Sequence, residues 1–133
     1  MDTRLLRQAP ESVETDALIV LATEEAPPRL HAGCDALIAQ CYESAEFKGA
    51  AGEHLLIHAP AGVKAARLLL IGCGKLAELG ADTVRKATGN AVRHLRSKAV
   101  KSAAVLLAAA DDAATIAAAV EGAILGDYEP DFL

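Results

Sequence analysis

The stretch Arg67-Leu-Leu-Leu-Ile-Gly-Cys-Gly-Lys75 constrains this chain more than any other. Leu68 to Ile71 are all branched and apolar, and they run straight into Gly72 and Gly74. An apolar run this short, stopped by glycines, predicts a fully buried strand. A strand apolar on both faces belongs in the middle of a sheet with helices on both sides. The glycines let the backbone leave the sheet through positive φ or pass close to a neighbour. The other elements are placed around this central strand.

At 133 residues the chain is long enough for one domain with a real core. It is 53% hydrophobic but only 3% aromatic, so much of the apolar content is alanine, which lets helices approach closely. A net charge of −5 gives no general attraction to nucleic acid or an anionic membrane. Three cysteines without paired spacing predict free thiols in a reducing compartment. Met1-Asp2-Thr3-Arg4 leads into no signal-peptide core. No apolar run approaches the roughly 20 residues that cross a bilayer. The expectation is a soluble, cytoplasmic α/β domain.

Thr3 to Gln8 predicts a short first strand, and Ala17 to Ala22 a second, buried one. Pro27-Pro28 is expected to open a helix, with Leu30, Cys34, Leu37, Ile38 and Cys41 on its apolar stripe. Glu43 to Gly52 reads as a loop and His54 to His58 as a third strand. Pro60-Ala-Gly62 turns that strand back into the central one, so the two should be antiparallel neighbours. Asp82 or Thr83 is expected to cap the next helix, whose stripe is Val84, Ala87, Ala91, Val92 and Leu95. Ala103 to Ala108 predicts a further strand. A last helix is expected from Asp111-Asp112, buried through Ile116, Val120, Ala123 and Ile124 and stopped at Gly126. The order β-β-α-β-β-α-β-α predicts a mixed sheet between helix layers.

Several motifs could carry chemistry. Gly72-x-Gly74-x-x-Ala77 follows a strand and matches the dinucleotide fingerprint. That fingerprint also needs a helix starting inside it and an acid about 20 residues on. Gly80 interrupts, and no acid occurs from Thr83 to Ala110, so a structural turn is the better reading. Lys75 is followed by Leu76, which rules out a phosphate-binding P-loop. His31-x-x-Cys34 and His54-x-x-x-His58 are possible metal ligands. Positions 54 and 58 of one strand lie about 13 Å apart at ~3.3 Å per residue, too far to share an ion. Cys34 and Cys41 fall on an apolar stripe, where a thiol behaves as a small hydrophobe. Cys73, in the glycine turn, is the cysteine to test for reactivity. Arg85, Lys86, Arg93, His94, Arg96, Lys98 and Lys101 form a stretch without acids. A solvated helix face explains it better than a nucleic-acid footprint, given the overall charge.

Four segments in order resemble one family: Glu14-Thr-Asp-Ala-Leu-Ile-Val20, Glu46-Phe-Lys-Gly49 with Gly52-Glu53, Leu68 to Lys75, and Ala119-Val-Glu-Gly-Ala-Ile-Leu-Gly-Asp-Tyr128. Together they are similar to the N-terminal domain of the leucyl (cytosol) aminopeptidases, peptidase family M17, over nearly the whole chain. The resemblance implies a macro-domain-like, three-layer α/β/α fold with a mixed central sheet. It implies an N-terminal domain over 1–126, with 127–133 as the start of a linker to a C-terminal catalytic domain. In the family that domain holds two divalent metals, typically zinc, manganese or magnesium, and removes N-terminal amino acids within a hexamer. The metal-binding carboxylates and lysine, and the catalytic arginine and lysine, belong to that other domain. No catalytic, cofactor-binding or metal-binding role therefore passes to any residue here. The expected partners are the chain's own catalytic domain and further copies of itself. A macro-like fold also raises an ADP-ribose or nucleotide-binding module as the alternative. Asp16-Ala-Leu-Ile-Val20 resembles the start of that motif, but Leu21-Ala22-Thr23 follow without an Asn to hold the ribose. A nucleic-acid-binding accessory domain is the second alternative, resting on the basic stretch alone.

Overall fold

A computed structural model describes residues 2–6, 12–106 and 118–123. Five strands form one sheet in the order β1-β5-β2-β4-β3. They are β1 (Asp2–Leu6), β2 (Ala17–Ala22), β3 (His54–His58), β4 (Arg67–Gly72) and β5 (Ser102–Leu106). β1, β5, β2 and β4 run parallel, and β3 closes one edge antiparallel to β4. Two helices, α1 (Ala32–Glu43) and α2 (Ala81–Arg96), complete the alternation, and residues 118–123 are helical.

The period-two alternation of the strands divides the core in two. Leu18, Val20, Leu68, Leu70 and Ala104 point to one face, where Cys34, Ile38 and Cys41 of α1 and Phe47 cover them. Ala17, Ile19, Leu69, Ile71, Ala103 and Val105 point to the other, under Ala87, Ala91, Val92 and Leu95 of α2. The result is the expected three-layer α/β/α arrangement. Ala118 and Ala119 pack with Val84 on α2, which places the helical segment 118–123 in the α2 layer. Gly122 permits the contact: a Cβ there would land on the Arg85 carbonyl oxygen.

Several expectations need correction. β4 is not the middle strand; β2 is, with β4 between it and the edge strand β3. Burial on both faces fixes only that a strand is internal, and β4 satisfies that one place from the edge. β1 is described over Asp2–Leu6, and Gln8, the expected end of the strand, lies outside the described residues. α1 begins at Ala32, and Pro27-Pro28 lie in the loop before it. His31 is the N-cap: its Nδ1 accepts from the Gly33 N–H at 2.9 Å. Asp35 reaches back to accept from the Leu30 and His31 N–H groups at 2.8 and 3.1 Å. Leu37, expected on the buried stripe, is exposed. Gly80 caps α2, and Asp82 instead pairs with Arg85 and Lys86 inside the first turn. Of the expected last stripe, Ala123 packs against the α2-side core, but Val120 is exposed and Ala118 and Ala119 are buried beside it. Its start at Asp111-Asp112, Ile116, Ile124, the Gly126 stop and the segment 127–133 lie outside the described residues. Within the described residues, no helix is long and apolar enough to cross a membrane.

Candidate functional site

In an open α/β sheet, ligands bind outside the carboxyl ends of the strands where successive crossovers leave on opposite faces. Here β2 leads to α1 on one face and β4 leads to α2 on the other. The switch point therefore lies between the ends of β2 and β4, at Ala22-Thr23-Glu24 and Gly72-Cys73-Gly74.

This crevice is closed by the chain's own backbone. The Cys73 N–H donates to the Ala22 carbonyl at 2.8 Å, and the Glu24 N–H to the Gly74 carbonyl at 3.0 Å. The loop from Gly49 to Glu53 folds over both exits. The Gly74 N–H donates to Gly49 O at 2.9 Å, and the Gly72 N–H to Glu53 O at 2.7 Å. Tyr42 on α1 donates its hydroxyl to Thr23 O at 2.8 Å. The Glu53 carboxylate holds the loop by accepting from the Lys48 and Ala50 N–H groups, each at 3.0 Å. Gly74 sits at φ +85°, and a Cβ on Gly72 would land on the Ala50 carbonyl oxygen.

A dinucleotide fingerprint works by aiming free N–H groups of the glycine turn and the next helix at a pyrophosphate. Here the N–H groups of Gly72, Cys73 and Gly74 are all spent on protein carbonyls. The Leu76 N–H donates to the Glu25 carboxylate at 2.9 Å, where a phosphate would otherwise be drawn. A short 3-10 turn, Leu76–Glu78, follows, and α2 does not start until Ala81. The glycines serve a structural turn. The same bonds leave none of the Gly72, Cys73 and Gly74 N–H groups free for the phosphate of a nucleotide.

Cys73 lies in the turn but is buried, and burial pushes its thiol up to about 11. It is protonated at neutral pH and is no activated nucleophile. Burial, with the Asp35 carboxylate beside it, raises Cys34; burial, with Glu46 beside it, raises Cys41. All three cysteines are free.

The candidate metal ligands separate. His31 is committed to its cap and lies over Gly62, while Cys34 is buried beneath α1. His54 and His58 stand at opposite ends of β3, as the spacing requires. Sequence reasoning missed the ring that His54 does meet. His94 of α2 packs against it with ring centroids 4.3 Å apart and planes inclined at 45°. Parity could have found it: His54 shares its strand face with Leu56, which packs into the α2-side core, and His94 neighbours Leu95. Burial first, then the nearby His54 and Lys98, hold His94 below its ordinary value. Among the described residues, no group of three or more His, Cys, Asp or Glu is placed to hold a metal ion.

The basic stretch is partly absorbed in the fold. Arg85 pairs with Asp82 at 3.0 Å and with Glu121 at 2.9 Å, tying α2 to the helical segment 118–123. Lys86 also meets Asp82, and Arg93 bonds Asn90 on its own helix. At the opposite end of the sheet, by the amino ends of β2, β4 and β5, a shallow polar depression is lined by Glu14, Thr15, Asp16, Lys64, Ala66 and Ser102. Asp16 there accepts from the Lys101 and Ser102 N–H groups, and Ser102 Oγ accepts from the Asp16 N–H, which locks β2 to β5.

The layered sheet and the sealed glycine turn at its switch point define a three-layer α/β/α domain. The model of the cytosol aminopeptidase family N-terminal domain matches residues 18–132, and the chain belongs to that family. A relative in Acidobacterium capsulatum, named "Probable cytosol aminopeptidase", is 37% identical over 99% of this chain and 30% of its own length. A protein of the same name in Solibacter usitatus is 39% identical over 98% of this chain and 26% of its own. A mutant tomato leucine aminopeptidase shares the fold, with a TM-score of 0.70 at 19% identity over 97% of this chain and 28% of that one. The chain thus spans less than a third of the length of these relatives.

Proposed function

We propose that this chain serves as the non-catalytic N-terminal domain of a cytosolic, metal-dependent leucyl aminopeptidase. In this reading it positions subunits and contributes to a homo-oligomer, a hexamer as in the family. A separate C-terminal domain holds two divalent metals, zinc, manganese or magnesium, and removes N-terminal amino acids from peptides. Two-metal hydrolysis needs ligands that clamp both ions and leave room for an attacking water. The described residues offer no set that fits such a centre, so no catalytic step is routed through them. The observation that carries the reading is the match of 99% of this chain to only 30% of an aminopeptidase-named relative.

The expected outcome is that the purified chain does not hydrolyse leucine amide or leucyl peptides, with or without added manganese or zinc. Metal-dependent turnover by highly purified chain, abolished by a chelator, would overturn the assignment.

A further inference from the structure

Among the described residues β3 is an edge strand, paired on one side only. Leu55, Leu56 and Ile57 are partly exposed, and the strand contains no lysine or proline. Such an edge is a template for another strand. Its free hydrogen-bonding groups can be assigned. The Gly72 N–H donates to Glu53 O, and the Ala59 N–H donates to Ala66 O at 2.9 Å. Partners in the β3–β4 ladder alternate, so odd-numbered residues of β3 turn their backbone groups to β4. His54, Leu56 and His58 therefore turn theirs outward, where no strand of the described residues lies.

This pattern is self-complementary. Antiparallel pairing of β3 with itself about Leu56 sets Leu56 opposite Leu56 and His54 opposite His58, with every outward N–H and C=O matched. Side chains directly opposite in such a pair have Cβ atoms about 4.5–5.5 Å apart. The side chains at 54, 56 and 58 share the face that α2 covers, the face on which His94 meets His54. A second copy would bring a third imidazole to a pair that already exists.

We propose that β3 pairs antiparallel with its counterpart in a second copy, and that His54, His94 and the partner's His58 together hold a divalent first-row metal ion at each end of the paired strands. Three imidazoles with an open fourth position are an established zinc coordination set, at about 2.0–2.1 Å per nitrogen. Within one chain His54 and His58 stay too far apart to chelate, so the third ligand must come from the partner.

Sedimentation of the chain in chelator and with stoichiometric zinc tests this. The expected result is a monomer in chelator and a dimer with two zinc ions per dimer, the apparent dimer dissociation constant falling at least tenfold. His58→Gln leaves the His54–His94 pair intact and should abolish the zinc effect, as should His94→Gln. A mixture of the two variants rebuilds one complete site from complementary copies, so zinc should restore a dimer that neither forms alone. Zinc without effect on sedimentation, zinc-driven dimers of His58→Gln matching the parent chain, or no rescue on mixing would each overturn the proposal. None of these outcomes bears on the aminopeptidase reading, which the hydrolysis assay tests separately.

Discussion

Gly72 and Cys73 stand next to each other and are constrained by opposite needs. Gly72 has its side-chain position occupied by the Ala50 carbonyl oxygen, because the Gly49–Glu53 loop is drawn down by bonds to Gly72 and Gly74. Gly72→Ala should destabilise the fold by about 2 kcal/mol or more, since backbone rather than a mobile side chain must move. Chemical denaturation checks this; an unchanged midpoint would show that the loop does not press on the turn. Cys73, in the glycine turn, is the cysteine that the sequence singles out for a reactivity test. Burial argues against an activated thiol there, because Cys73 is enclosed and raised to about 11. At about pH 8 a disulfide reagent should label Cys73 only as fast as the protein opens, and rapidly once denatured. Fast stoichiometric labelling of native protein at Cys73 would contradict the enclosed geometry.

The helices show how tertiary contact overrides local preference. α1 starts where His31 and Asp35 can satisfy its first N–H groups, not where proline opens a helical pattern. The segment 118–123 rests on α2 through glycine. The Gly122 side-chain position meets the Arg85 carbonyl, and that of Gly89 lies 3.2 Å from the Gly122 carbonyl oxygen. Gly122→Ala should force the two helices apart and break the Arg85–Glu121 pair, lowering stability by about 1–3 kcal/mol. Gly80→Ala is the control, because open space surrounds that position. Equal melting temperatures for the two variants would show that the helices do not depend on close approach.

At the scale of the whole molecule, His94 links protonation to the packing of α2 over the sheet edge. The folded state holds it below its ordinary 6.5 through burial, His54 and Lys98. An imidazole that resists protonation when folded takes up its proton more readily when unfolded. Stability is therefore full above about pH 6.5, falls as pH drops below it, and stops falling from this source below the folded value. Melting temperature, followed from about pH 7 to about pH 5 in chelator, should fall more steeply for the parent chain than for His94→Gln. Parallel curves would remove His94 from the account.

The bounds of β2 and β3, the hairpin from β3 into β4 and the α2 stripe were all legible in the sequence. Each rests on near-neighbour physics: apolar runs that end at turn residues, and apolar residues that recur with the helical period. The family was legible in the order of its motifs. The sequence alone could not place β4 beside the edge strand, because strand order is set by which faces the crossing helices cover. Nor could it show that the glycine turn is sealed, since the carbonyls that seal it come from Ala22 and Gly49, far along the chain. The meeting of His54 and His94 was hidden for the same reason. Forty residues separate them in sequence, and only the packing of α2 against the sheet makes them neighbours. Local periodicity fixed the elements, and long-range burial decided which of their side chains meet.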